Sequence, residues 1–245
     1  MKCGCKGLRD KKIAGLPDQL HPRIFLGLPE AELDAIVSAA THRQFRASFR
    51  ASSVVLHQED PAERFFLLTS GQGRHFVTTP SGQKVLLHWL TAGQVFGGAA
   101  ILSPPSHYLA STEVLSDSCA LVWDKETIRG FVFRSPRLLD NILSIAVTEH
   151  IAWLITANVS LSSDDAEGRI AHMLISLACG IGKVGYDGVE IQVGNDDLAA
   201  GANVTPFTVS RSLSAWQRQG ILKKGRGKVF LRRPELLTIS KPKSA

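Results

Sequence analysis

Between Val204 and Gly220 the chain reads Val-Thr-Pro-Phe-Thr-Val-Ser-Arg-Ser-Leu-Ser-Ala-Trp-Gln-Arg-Gln-Gly, and the polar members of this stretch carry one kind of chemistry. Arg211 and Arg218 supply planar guanidinium forks that match the acceptor edge of guanine or a phosphate. Thr205, Thr208, Ser210, Ser214 and Gln217 supply neutral donors and acceptors, and no acidic residue interrupts them. These are the groups that read base edges and grip the sugar–phosphate chain. Phe207 is the exception: it could touch a thymine methyl, or pack against a preceding helix.

To act together these side chains need a helix, and the stretch marks both ends of one. Thr205 can cap the first turn through its hydroxyl, Pro206 falls at the first helical position, and Gly220 follows the last turn. Val209, Leu213, Trp216 and Gly220 recur on the opposite face, which can pack on a core. Upstream, Asp196-Asp-Leu-Ala-Ala200 forms a shorter helical pattern, joined through Gly201-Ala-Asn-Val204. Two helices across a Gly-containing turn make a helix-turn-helix, whose second helix enters the major groove.

Charge supports this placement. From Thr205 onward there are ten Lys and Arg residues against Glu235 alone, whereas residues 13–204 hold thirteen basic and twenty acidic residues. The net charge of +6 therefore conceals a basic end beside the reading helix. Lys223, Lys224, Arg226 and Lys228 lie in Ile221–Leu231, which reads as a hairpin turning at Gly225-Arg-Gly227. Cations there would neutralise phosphates and release counterions.

The remaining sequence must position this unit and connect it to an input. With 44% apolar and 20% charged residues the composition is that of a soluble globular chain. The basic Met1–Lys12 segment has no apolar run of a secretory signal, and no stretch is long enough to span a bilayer. Four irregularly spaced cysteines do not form a disulfide framework. The expectation is a cytoplasmic protein with no membrane partner.

From about Phe45 to Trp123, short apolar runs (53–57, 65–68, 73–77, 85–90, 95–96, 110–115 and 119–123) alternate with turn residues, which argues a β-roll or jelly roll. Lys125–Phe133 reads as a short helix. Ser135-Pro136 then opens a long helix to about Ser162, with Leu143, Val147, His150, Leu154, Ala157 and Leu161 alternating four and three apart. That seam predicts a dimer helix. Ser162–Asp165 reads as a hinge and helix start, and Ala166–Cys179 as a helix with Ile170, Met173, Leu174 and Leu177 inward. The fold class is α+β: a flexible Cys-containing segment (1–20), a β-roll sensor (21–133), a dimerisation helix and hinge (134–163), and a winged helix-turn-helix domain (164–240).

In this order of elements, and in Gly168-Arg-Ile-Ala171, Asp197-Leu-Ala199 and Thr208-Val-Ser-Arg211, with Ser70-Gly71 and Phe96-Gly97, the chain resembles the Crp/Fnr family of bacterial transcription regulators. The resemblance covers about residues 25–238. It implies a homodimer on a two-fold symmetric double-stranded operator, an input bound in the roll, and contact with RNA polymerase if the protein activates. Ser210 and Arg211 match family base-contacting positions. Pro206 and Phe207 stand where many members carry a charged base reader, so no known operator sequence is carried over.

At the sensor end the resemblance argues against cyclic AMP. Members that bind it follow Phe-Gly with a ribose-binding Glu and place a phosphate-binding Arg about ten residues on. Here Phe96-Gly97 is followed by Gly98-Ala99, and the Arg position falls at or near Tyr108. A buried cyclic phosphate without its cation would cost several kcal/mol. Leu154 and Ile155 replace the hydroxyls that meet the base. The candidate effector pocket is thus Phe96, Gly97, Gly98, Ala99, Tyr108, Ala110, Leu154 and Ile155, for a ligand of different or apolar chemistry, or for none.

The cofactor is open. Cys3, Cys5 and Cys119 are candidates for iron–sulfur ligation, as in cluster-binding members, although this chain has two N-terminal cysteines where those have three. Alternatively Cys3 and Cys5 form a thiol–disulfide switch, since Lys2 and Lys6 favour the thiolate. Haem is a third option, with His75, His88, His107 and His150 as candidate ligands. In the rival functional reading the protein is such a redox or haem sensor and its DNA binding is vestigial. Phe96–Ala100 lacks the Lys-Ser/Thr of a phosphate-binding loop and no nucleophile set stands in a recognisable context, so the expectation is not an enzyme.

Overall fold

The computed structural model describes residues 22–45, 53–82, 84–103, 106–151, 154–155, 158–159, 162, 165–186 and 188–237. It forms two compact units, Met1–Gln83 with Leu87–Ala152, and Lys84–Leu86 with Trp153–Ala245. The sequence places the hinge at 162–165; this division falls earlier, inside the helical stretch that follows Ser135.

The first unit is built on strands β1 (Thr41–Phe45), β2 (Ser53–Leu56), β3 (Arg64–Ser70), β4 (Gln72–Thr78), β5 (Lys84–Thr91), β6 (Val95–Phe96), β7 (Ser111–Val114) and β8 (Ser118–Asp124). They form two four-stranded sheets, ordered β1-β8-β3-β6 and β2-β7-β4-β5. Seven of these strands are the apolar runs marked in the sequence. β1 is not, because Thr-His-Arg-Gln-Phe has no apolar alternation. It is a strand because its backbone pairs with β8, from Thr41 opposite Val122 to Phe45 opposite Ser118.

The core of this unit centres on Trp123, whose ring lies 6.0 Å from that of Phe65 and 6.5 Å from that of Phe25. Its indole N–H donates to the Ile36 carbonyl of α1 (Glu30–Ser38) at 2.7 Å, which joins helix to sheet while leaving no unpaired buried donor there. Two further helices follow β8, α2 (Lys125–Arg134) and α3 (Pro136–Ile145). Ser135 caps α3 by accepting from the Leu138 N–H, with Pro136 at the first position. Buried Asn141 donates to the Ile24 and Leu26 carbonyls, 2.9 Å each, and so fastens the start of the described chain to α3.

The helix after Ser135 is not regular to Ser162 as the seam requires. Ala146–Ile151 is a π-helical turn. A π turn inserts extra residues per turn and shifts the phase of any seam running through it. Leu143, Val147 and Ile151 stay exposed, whereas His150 rotates off that stripe and is partly buried. Ala157 and Leu161 lie outside the described residues.

The second unit contains α4 (Ala166–Ile181), β9 (Lys183–Gly185), β10 (Gly188–Ile191), α5 (Asn195–Ala202), α6 (Pro206–Arg218), β11 (Leu222–Gly225) and β12 (Lys228–Leu231). Its sheet runs β11-β12-β10-β9. The Asp165 carboxylate accepts from the Gly168 N–H at 2.8 Å and starts α4, as the helix-start signal predicts. Ile170, Leu174 and Leu177 are buried, Met173 is partly so, and Cys179 is exposed. No helix among the described residues is long and apolar enough to cross a membrane.

Candidate nucleic-acid interface and sensor cluster

α6 has the ends that its sequence specifies. Thr205 Oγ1 accepts from the Thr208 N–H at 3.1 Å, Pro206 occupies the first turn, and Gly220 has φ of 72°. That left-handed backbone is one that a side chain at this position would resist. Val209, Leu213 and Trp216 are buried on the inner face. The turn before α6 differs from expectation. Gly201 lies within α5, and Asn203, with φ of 50°, makes the left-handed turn. Asn tolerates that region because its short polar side chain can bond locally.

The sequence singled out Gly168-Arg-Ile-Ala171 without assigning Arg169 a task. Arg169 donates from Nε to the Ala202 carbonyl at 2.9 Å and from Nη2 to the Asn203 carbonyl at 3.5 Å. A cation on the last carbonyls of α5 meets the negative end of that helix. Arg169 therefore braces the turn that sets the angle between α5 and α6.

The structure sorts the nominated nucleic-acid contacts into two groups. Several are occupied within the fold. The Thr205 and Thr208 hydroxyls bond each other at 2.9 Å. Ser214 Oγ donates to the Ser210 carbonyl and accepts from Lys224 Nζ, while Gln217 Oε1 accepts from the Lys224 N–H. Lys228 pairs with Glu190 at 3.2 Å and lies over the Phe230 ring. These groups tie α6 to the β11–β12 hairpin and that hairpin to β10. Phe207, Arg211, Arg218, Lys223 and Arg226 form the second group and are exposed; Thr205 and Gln217 are exposed as well, and Ser210 is partly so. Phe207 is 75% exposed, which removes the alternative in which it packs against α5.

In the first unit, the residues nominated as an effector pocket divide as well. Phe96 is buried, with its ring stacked on Phe66 at 4.6 Å. Gly97 has φ of 75°, and a Cβ there would come within 2.7 Å of the Arg64 carbonyl, so this turn requires glycine. Gly98 and Ala99 begin a 3-10 turn, Gly98–Ile101, with the Ser106 hydroxyl donating to the Ala99 carbonyl. Tyr108 is buried. Its hydroxyl donates to the Arg64 carbonyl and accepts from the Arg64 N–H, each at 2.9 Å. Burial raises its phenol above the ordinary value, partly offset by the bond to Arg64. Ala110 is half-buried, while Leu154 and Ile155 belong to the second unit and are exposed there.

Three of the four nominated histidines meet. His75 on β4 and His88 on the neighbouring β5 have ring centroids 6.4 Å apart, and His150 of the π turn lies 5.8 Å from His88. Phe96 stands edge-on to His75, and Thr112 Oγ1 shares a 2.8 Å hydrogen bond with His75 Nδ1. Burial first, and then the positive charge His88 and His150 would carry, push the His75 imidazole down to about 3, with a backbone bond at Ser111 acting the other way. Burial and His150 push His88 down to about 4. Both rings are therefore neutral near pH 7. His107 is exposed and stands outside the cluster. Among the described residues no group of three or more His, Cys, Asp or Glu could hold a metal ion. Cys119 is buried in β8; Cys3 and Cys5 lie outside the described residues.

Comparison with known proteins bears on both units. A cyclic nucleotide-binding domain model matches residues 46–135, and a Crp-like helix-turn-helix domain model matches residues 168–238. The chain belongs to the Crp/Fnr family. It is 28% identical to the cyclic AMP receptor protein of Thermus thermophilus over 87% of this chain and 94% of that one. It is 21% identical to the CRP-like cAMP-activated global transcriptional regulator of Mycobacterium tuberculosis, over 75% and 82%. The fold is similar to that of FixK2 from Bradyrhizobium japonicum, with a TM-score of 0.70, 20% identity, and coverage of 84% and 99%. This Crp/Fnr chain thus joins a cyclic nucleotide-binding type of roll to a DNA-binding helix-turn-helix of a transcriptional regulator.

Proposed function

We propose that this Crp/Fnr protein is a homodimeric, sequence-specific regulator that reads a two-fold symmetric operator through α6 and responds to an effector other than cyclic AMP. One observation carries the DNA-reading part: a helix capped at both ends presents Phe207, Ser210, Arg211 and Arg218 outward, with no acidic residue in its first turn. In a dimer the two copies of α6 would enter successive major grooves about 34–36 Å apart. The exposed Leu143, Val147 and Ile151 supply apolar surface for the second subunit. The protein acts by binding, without a catalytic step, and RNA polymerase is its further partner if it activates.

The effector assignment rests on the roll. Where a cyclic-nucleotide binder needs a carboxylate and an arginine, Gly98 and Ala99 sit in a tight turn and Tyr108 is consumed by the Arg64 backbone. Neutral His75 and His88 with Phe96 offer aromatic, hydrogen-bonding surface instead. Among the described residues His150 Nδ1 and Trp89 Nε1 are buried without a hydrogen-bond partner, which a bound ligand or a second subunit would provide.

The test is selection of bound duplexes from a random pool, followed by affinity measurement at fixed salt. Arg211→Ala should weaken the selected operator by about 1–3 kcal/mol and relax preference at one position in each half-site. Unchanged affinity in that variant would remove α6 as the reading element.

A further inference from the structure

We infer that Phe207 is a specificity-determining residue that reads the C5 methyl group of a thymine in each operator half-site. This rests on the DNA-reading role of α6 and assigns it a feature that neither the charge of the unit nor Arg211 supplies. A single exposed apolar side chain is ordinary on a protein surface. Phe207 is distinguished by where it stands and by what its neighbours are doing.

It occupies the first turn of α6, directly after Pro206, and base contacts of a recognition helix come from its N-terminal residues. Arg211 lies one turn further on and Ser210 three residues on, so the three side chains share one face. Thr205 and Thr208, the other polar side chains of this first turn, spend their hydroxyls on each other and on the cap. Ser214 Oγ and Gln217 Oε1 accept from Lys224 of the hairpin. The fold thus leaves Phe207, Ser210 and Arg211 to face the bases from the first two turns. The inner face is already filled by Val209, Leu213 and Trp216, so the Phe207 ring has no place in the core and remains 75% exposed.

The chemistry of the ring then selects its partner. A phenyl group neither donates nor accepts a conventional hydrogen bond, so set against the N7 and O6 of guanine or the amino group of cytosine it would strip water from a polar edge and return nothing. The thymine C5 methyl is the apolar feature of the major groove, and contact with it removes both surfaces from water. Burying one methyl is worth about a fourfold change in affinity, hence roughly fifteenfold for a dimer engaging two half-sites.

The experiment begins with the operator selected by the full-length wild-type protein. Each thymine is replaced in symmetric pairs by deoxyuridine, which deletes only the C5 methyl, and affinities are measured by fluorescence anisotropy. One symmetric pair should lose about fivefold to fifteenfold in the wild type. Phe207→Ala should bind the thymine and uracil operators alike at that pair, and Phe207→Leu, which stays apolar, should restore a thymine preference. Thermal melting confirms that each variant is folded. The assignment is overturned if no pair responds to uracil, or if Phe207→Ala keeps the wild-type ratio of thymine to uracil affinity. A pool that yields no common sequence would overturn the DNA-reading function itself, and this assignment with it.

Discussion

Acidification from about pH 7.5 to about pH 5.5 should destabilise the sensor unit through His75 and His88, and linkage sets the size of the effect. Their folded-state values, about 3 and about 4, lie below the ordinary 6.5. Stability from these groups is therefore fully present above about pH 6.5 and is lost as pH falls from there toward the folded values, because the unfolded chain takes up protons that the folded chain refuses. Over this interval each histidine differs by about one proton-equivalent pH unit, or about 1.4 kcal/mol, which gives about 3 kcal/mol for the pair. Both rings are only partly shielded from solvent, so about 1–3 kcal/mol is the expected range. The assay is urea unfolding followed by tryptophan fluorescence, since Trp89 and Trp123 are both buried in this unit. The His75→Gln/His88→Gln double variant isolates the pair: its stability should change much less with pH than the wild type. Equal stability of the wild type at the two pH values would refute the reasoning, as would a double variant that follows the wild type throughout.

Tyr108→Phe removes a buried hydroxyl from both the Arg64 N–H and carbonyl, at an expected cost of about 1–3 kcal/mol, measurable by chemical unfolding of the sensor unit. Arg169→Ala withdraws the brace from the Ala202 and Asn203 carbonyls. It should cost about 1–2 kcal/mol and speed amide hydrogen exchange around residues 202–206, while Lys at this position should only partly restore protection. Leu143→Asp together with Leu154→Asp should shift sedimentation from dimer to monomer; a wild type that is monomeric at micromolar concentration would overturn the dimer. Thr205→Ala should lose about 1 kcal/mol of stability from the second unit, since the cap goes while Pro206 stays.

Much of the architecture was legible because it is specified locally. Seven strands of the roll are apolar runs bounded by turn residues, and α6 is announced by Thr205, Pro206 and Gly220, all of which act on neighbours within one turn. β1 was illegible, since Thr41–Phe45 has no alternation and owes its conformation to pairing with β8 far along the chain. The π turn was illegible for a related reason. The spacing of Leu143, Val147, His150 and Leu154 suits a regular helix, and the departure over Ala146–Ile151 follows no pattern of residue type. Asn203 rather than Gly201 makes the helix-turn-helix turn, because α5 continues through Ala202 and Arg169 satisfies its final carbonyls from another helix.

By itself the sequence determined which residue types are available to read DNA and that the basic charge sits beside them, since charge and helix periodicity are properties of the chain. It also placed Gly98-Ala99 directly after Phe96-Gly97, and Tyr108 about ten residues on. Only the tertiary structure decided which candidates remain to act. Lys224 meets Ser214 and Gln217, Lys228 meets Glu190, and Tyr108 meets Arg64, and each pairing ties a polar side chain to a partner within the fold. It likewise brought His75, His88 and His150 together from two strands and a helix. Such pairings depend on strand register and helix phase between residues distant in sequence, and a side chain can satisfy only one set of partners at a time.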